Sequence, residues 1–480
     1  MTSASSALQA RLFIDGQWRD GGDAGDFPVL DPATGETIAR FPAATASDCE
    51  AAVRAAERAF PAWSQTSPRE RSELLYRAFH TLRAERETLA EIIVRENGKA
   101  WADALAEADY ATEFLRWFAE EAVRIPGDFR LSPAGDKRIV VSRHAIGVAL
   151  LITPWNFPAA MATRKLGPAL AAGCTTVLKP ARETPLTAAY IVGVLDRVGA
   201  PAGVVNLVTP VPTGPLVAGM IADPAVRKLS FTGSTEVGRE LLHACADSIV
   251  DTSMELGGNA PVIVLPGADL DDAVSAALQA KMRNGGSACT AANRFYVHAS
   301  LHDAFVRRMA DELSAVRTGA GLERENQLGA LVSEVERDKV AALVSTAVDE
   351  GARVVVGGAA LPPGAFYAPT LLDGVTHGST ITRREIFGPV TAVVAYDDVD
   401  DAVRMANDTE FGLVAYVLGP EHDALRVALR LDTGMVAVNR GVLSDPAAPF
   451  GGTKESGIGR EGGKWGMEEY TEIQQITWKA

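Results

Sequence analysis

The sequence predicts an α/β fold made of two Rossmann-type parallel-sheet domains and a small β element, and three observations carry that prediction. Short apolar, β-rich runs alternate with stretches of helical spacing through most of the chain. Alternation of this kind buries a parallel sheet between helices on both faces. The pattern starts afresh after Glu255, and the tail 470–478 alternates like an edge strand that needs a partner for its backbone groups.

Taken in order, apolar positions recur at helical spacing over 48–63, with Asp48 placed to cap that helix. Residues 145–153 read as a buried strand, 158–172 as a small-residue helix, 175–179 as a strand and 185–198 as a helix. Strands follow at 204–208 and 226–231, then a helix at 235–246. Past Glu255 come a strand at 261–265, a helix at 270–281, a strand at 294–298 and a helix at 301–313. Further units run through 335–356 and 399–438, and the two halves are expected to join near 251–258.

With 480 residues, 47% of them hydrophobic and 22% charged, the chain can bury large cores without disulfides or metals. Its net charge of −15 repels nucleic acid and anionic membranes, so neither is expected as a partner. An anionic substrate would therefore need local positive charge. The polar stretch 1–10 lacks the basic-then-apolar order of a signal peptide. The longest clean apolar run, 145–152, is far short of the ~18 residues that suggest a membrane span. Cys49, Cys174, Cys245 and Cys289 are scattered without a CxxC pair, and the histidines lack metal-ligand spacing. A cytoplasmic protein without a metal is expected.

Four stretches carry chemistry. Cys289 follows Asn284-Gly285-Gly286-Ser287-Ala288, where paired glycines let the backbone turn and leave a sulfur accessible. On these residues alone it reads equally as a nucleophile or as a small buried hydrophobe. Glu255 opens Glu255-Leu256-Gly257-Gly258-Asn259, either a turn glutamate or a general base with backbone room around it. Pro154-Trp155-Asn156-Phe157-Pro158 follows a buried strand, and its prolines stiffen a loop that can aim the Asn156 amide at a developing oxyanion. The other reading is an aromatic plug with a turn asparagine. Phe231-Thr232-Gly233-Ser234-Thr235 joins a strand to a helix, whose free N–H groups suit a pyrophosphate as well as a simple capped turn.

Together with KPA at 179–181, EIFGP at 385–389 and PFGGTKESGIGREGG at 449–463, these motifs resemble the aldehyde dehydrogenase superfamily over nearly the whole chain. The resemblance implies that Cys289 attacks the aldehyde, that Asn156 and the Cys289 N–H hold the oxyanion, and that Glu255 activates water to hydrolyse a thioester. Lys165 matches a lysine near that base. Trp155, Asn156, Leu256, Glu385 and Phe387 would line the nicotinamide end, Gly233 and Ser234 the pyrophosphate, and Lys179, Ala181 and Arg182 the adenosine ribose. Arg182 stands where NAD-preferring relatives often carry glutamate, so NADP is expected to be preferred and NAD accepted.

Arg164, Arg283 and Ser444 match residues that hold the substrate carboxylate in the succinate-semialdehyde branch. The expected reaction is therefore oxidation of succinate semialdehyde to succinate. Glutarate or 2-oxoglutarate semialdehyde and aromatic aldehydes are the alternatives, with a thiol esterase or a binding protein as readings from other classes. The family division implies cofactor binding by 1–125 and 144–254, catalysis by 255–462, and assembly into dimers or tetramers through 126–143 and 463–480. Two departures stand out. Ser287 replaces the usual glutamine, and Ala291 stands where some relatives have a second cysteine, so no disulfide can form within this loop.

Overall fold

The apolar run 145–153 divides in the computed structural model, which describes residues 9–480. One strand, Lys137–Ala145, ends there; Gly147 takes a φ of 138°, and Val148–Ile152 begins the next. Residues 1–8 of the polar start lie outside the described residues.

Val148–Ile152 is buried at every position and lies centrally in an eight-stranded sheet. From it the chain steps outward through Thr175–Lys179 and Val205–Leu207, all parallel. It then returns to the other side with Val226–Thr232 and Asp251–Glu255, also parallel. The direction of winding reverses beside Val148–Ile152, so a crevice opens at the C-terminal ends of that strand and Val226–Thr232, between residues 153–157 and 233–235. Ligands of open α/β sheets collect at such a switch point.

The second sheet has seven strands in the order Arg353–Val356, Thr370–Asp373, Val390–Tyr396, Ala292–His298, Ala260–Val264, Val414–Leu418 and Met435–Val438. Only the first of these runs antiparallel to its neighbour. The expectation of a parallel α/β fold thus holds. Asp251–Glu255, expected as part of the joint between halves, is instead a strand of the first sheet, leaving Leu256–Asn259 as the crossing. Sequence alternation is weak there because the strand is half polar. Gly457–Ile458 returns from the far end of the chain to pair with Met254 and Glu255, and so brings the 449–463 motif beside that carboxylate.

The helix expected at 48–63 spans Ala46–Ser64 and is capped by Thr45 rather than Asp48. Asp48 sits three residues in and returns a bond to the Thr45 backbone, a reciprocal capping box that satisfies two orphan donors. Thr471–Lys479 finds its partner within the chain, pairing antiparallel with Lys137–Ala145, which also pairs with Asp128–Leu131. This three-stranded sheet leaves Phe129, Ile473 and Trp478 exposed. No helix among the described residues is long and apolar enough to cross a membrane.

Candidate active site

A cavity of about 1040 Å³ fills the crevice between the two sheets, lined by Trp155, Asn156, Arg164, Gly233, Ser234, Leu256, Arg283, Cys289, Glu385, Phe387 and Ser444 among others. Residues from six of the seven sequence motifs therefore meet in one space. Glu255, Lys165, Lys179, Ala181 and Arg182 do not line it.

The loop at 154–158 is held by groups far away in sequence. The Asn156 carbonyl accepts from Lys99 Nζ at 2.8 Å and from Asn284 Nδ2 at 2.9 Å. Asn97 Nδ2 donates to the Trp155 carbonyl at 2.9 Å. Lys99 is buried and paired with Glu107 at 2.5 Å. The other Glu107 oxygen accepts the N–H groups of Ala159 and Ala160, at the start of the helix Pro158–Ala172. A carboxylate is well suited to a helix N-terminus. None of Asn97, Lys99, Glu107 or Asn284 was marked by the sequence reading, since nothing local announces a partner more than fifty residues away.

Cys289 follows a tight turn, Arg283–Gly286, in which Asn284 and Gly285 have φ of 55° and 59°. Gly286 has φ 76°, and a Cβ there would lie 2.2 Å from the Gly388 carbonyl oxygen. Only glycine fits. The Asn156 amide donates to the Ser287 carbonyl at 3.1 Å, two residues before the sulfur. Burial pushes the Cys289 thiol up to about 12, against the pull of Arg164, with Glu385 and Glu255 adding to the rise. The other three cysteines are buried outside the cavity.

Glu255 ends its strand with a buried side chain, and its Oε2 has no hydrogen-bond partner. Burial first, then the neighbouring Glu461, hold this carboxyl well above its ordinary range, while Arg164, Lys165 and Arg460 pull it down. Cys289 and Glu255 are thus brought near enough to perturb one another, without a direct bond. Lys165 Nζ donates to Glu461 Oε1 at 2.6 Å and to Ser230 Oγ at 2.8 Å. Burial lowers its pKa. Glu461 lies within the 449–463 motif but was not singled out there.

On the cofactor side, Ser234 caps the helix Thr235–Ala246. Glu385 accepts the Gly258 N–H at 3.3 Å, and burial pushes its carboxyl to about 8. Phe387, with φ 54°, meets Trp155 edge to face at 5.2 Å. Lys179 is largely buried at the end of its strand, and Arg182 is exposed with its guanidinium 4.9 Å from the Phe27 ring centre. Arg164 is buried, donates from Nη2 to Tyr110 Oη at 2.6 Å, and lies 4.2 Å over the Phe450 ring. Arg283 lies over Phe157 at 5.0 Å. Among the described residues, no three His, Cys, Asp or Glu side chains cluster as metal ligands would.

The aldehyde dehydrogenase family model matches residues 18–476. A succinate-semialdehyde dehydrogenase of Paenarthrobacter nicotinovorans is 47% identical over 441 residues, covering 92% of this chain and 98% of that protein. A glutarate-semialdehyde dehydrogenase of Pseudomonas putida is 44% identical, with 98% of each chain covered. The crystal structure of an E. coli NADP-dependent enzyme, 43% identical, aligns with a TM-score of 0.97 over 99% of both chains. A match that spans both sheets and every motif lining the cavity leaves one conclusion: the chain belongs to the aldehyde dehydrogenase family.

Proposed function

We propose that this chain oxidises a carboxylate-bearing aldehyde, succinate semialdehyde, through Cys289, with NADP preferred over NAD. The observation that carries this reading is that two of the four arginines in the cavity that Cys289 lines, Arg164 and Arg283, converge on Tyr110. In a protein of net charge −15, that concentration of guanidinium groups suits an anionic substrate. Ser444 would add a hydroxyl to the same carboxylate.

The residues fit a dinucleotide. The N-terminus of Thr235–Ala246 opens on the cavity beside Gly233, as a pyrophosphate requires. Glu385, with a single long bond from Gly258, keeps acceptor capacity for a ribose hydroxyl. Trp155, Phe387 and Leu256 would enclose the nicotinamide, and Lys179, Ala181 and Arg182 would meet the adenosine ribose. Bound there, the nicotinamide supplies the hydride acceptor.

Cys289 Sγ attacks the aldehyde carbon as its thiol proton leaves to water in the cavity, and Asn156 Nδ2 with the Cys289 N–H stabilises the oxyanion. Loss of hydride leaves an acyl thioester on the sulfur. Glu255 then takes a proton from water as that water attacks the thioester, releasing the acid and the thiol. For this the carboxyl turns from the Glu461 side toward the cavity, a rotation aided by its unpartnered Oε2. Lys165 and Glu461, bonded behind it, are placed to pass the proton onward.

The cofactor unit would comprise 1–125 and 144–254, the catalytic unit 255–462, and the assembly element 126–143 and 463–480. Exposed Phe129, Ile473 and Trp478 suit burial against a second copy, as a homodimer or homotetramer. Scattered, unpaired cysteines suit the cytoplasm.

The test is a steady-state panel of succinate semialdehyde, glutarate semialdehyde and neutral aldehydes with both cofactors. Arg283→Ala should raise KM for succinate semialdehyde by about tenfold or more, as expected for losing a charged hydrogen bond. An unchanged KM removes the carboxylate clamp. Glutarate semialdehyde is the second reading, favoured by the Pseudomonas putida relative; a higher kcat/KM for it than for succinate semialdehyde would establish it.

A further inference from the structure

Tyr110 belongs to no motif, yet it stands between Arg164 and Arg283, two of the four arginines that line the cavity. Its hydroxyl accepts from Arg164 Nη2 at 2.6 Å, and the Arg283 guanidinium lies 5.7 Å from its ring centre. Tyr110 itself lines the cavity and is fixed from behind by an edge contact with Phe114 at 4.9 Å.

Tyr110 takes one terminal nitrogen of the Arg164 guanidinium, and Glu461 faces the other. Arg164 Nη1 stands 3.7 Å from Glu461 Oε2, too far for a hydrogen bond. Both Glu461 Oε2 and Arg164 Nε lack hydrogen-bond partners, although both are buried. A buried acceptor without a partner and a guanidinium nitrogen 3.7 Å from it should close on one another unless something restrains them. The other Glu461 oxygen is taken by Lys165, so that residue does not restrain Arg164. Arg164 is instead held by its hydrogen bond to Tyr110 Oη and by stacking over Phe450.

We propose that Tyr110 determines specificity for anionic aldehydes by holding the Arg164 guanidinium away from Glu461, so that its charge stays available to a carboxylate in the cavity. The inference rests on the carboxylate-bearing substrate proposed above and adds the residue that keeps its clamp open. Without the hydroxyl, Arg164 pairs with Glu461 and the clamp loses one of its two guanidinium groups. A neutral aldehyde makes no use of that charge.

The experiment compares kcat/KM for succinate semialdehyde with kcat/KM for butanal, its neutral four-carbon counterpart, in the parent, Tyr110→Phe and Arg283→Ala. Tyr110→Phe retains the ring and its contact with Phe114. The ratio of the two constants should fall about tenfold in Tyr110→Phe, the size expected for one charged hydrogen bond. A ratio within twofold of the parent overturns the role of Tyr110. If Arg283→Ala lowers the ratio and Tyr110→Phe does not, only this inference falls. If Arg283→Ala also leaves the ratio unchanged, the carboxylate reading falls with it. Adding Glu461→Gln to Tyr110→Phe should restore part of the ratio, because the competing charge is gone; a purely steric role for the tyrosine predicts no such rescue.

Discussion

The side-chain nitrogen of Asn156 donates across 3.1 Å to the carbonyl of Ser287, joining the loop that leaves the first sheet to the loop that presents Cys289. The bond orients an amide donor toward the neighbourhood of the sulfur before any substrate arrives. Asn156→Ala should therefore lower kcat by about 10²-fold or more, the cost of one oxyanion donor. Dissociation constants for the cofactor, read by fluorescence titration, should change far less than kcat does. A kcat within threefold of the parent would remove Asn156 from the oxyanion site.

Glu255→Gln should abolish turnover while leaving one equivalent of reduced cofactor formed per site, because hydride loss precedes hydrolysis. Stopped-flow absorbance reads this as a burst without a steady state, and a burst lost along with turnover would assign the glutamate an earlier role. The base works as a carboxylate, and burial together with Glu461 raises its pKa well above 4.5. The parent kcat should accordingly climb with pH as this carboxyl loses its proton, while the burst of Glu255→Gln does not follow that limb. The sign for stability is opposite: the folded protein holds this proton more tightly than the unfolded chain does. That contribution is full below about 4.5 and is lost as pH rises through the folded value.

Arg182 is exposed over Phe27 and adds no acid at the place expected to meet the adenosine ribose. Arg182→Glu should lower kcat/KM for NADP by about 10²-fold relative to NAD, since a paired guanidinium becomes a repelling carboxylate. An undiminished preference for NADP after this change would place cofactor selection elsewhere.

Lys99 and Glu107 form a buried pair that bonds both the Asn156 carbonyl and the start of the helix Pro158–Ala172. Lys99→Met leaves Glu107 without its counter-charge, which should cost about 3 kcal/mol or more of unfolding free energy. It should also lower kcat, through the displaced Asn156. Denaturant unfolding and steady-state kinetics check both effects, and a variant as stable as the parent would show that the pair is dispensable.

Much of this was legible in the sequence because it is local. Pro158–Ala172, Thr175–Lys179 and Thr235–Ala246 fall where apolar spacing, prolines and glycines put them. Cys289 and Asn156 stand in motifs whose residue types suit the chemistry expected of them, whereas Arg164 and Arg283 are legible only through the resemblance to relatives. Asp48 was taken for a cap because capping residues are interchangeable in composition, and only the backbone angles of Thr45 decide between them. Asp251–Glu255 was missed as a strand because its exposed start breaks the apolar run.

By itself the sequence determined the alternation of strands and helices, the family motifs and the excess of negative charge, since each depends on residues close together in the chain or on composition. Tertiary structure alone decided that Lys99 and Asn284 meet on one carbonyl, that Glu461 faces both Lys165 and Arg164, and that Tyr110 stands between two guanidinium groups. These contacts join side chains tens to hundreds of residues apart. Their energies depend on distance and burial, which exist only once the sheets have wound and the crevice between them has closed.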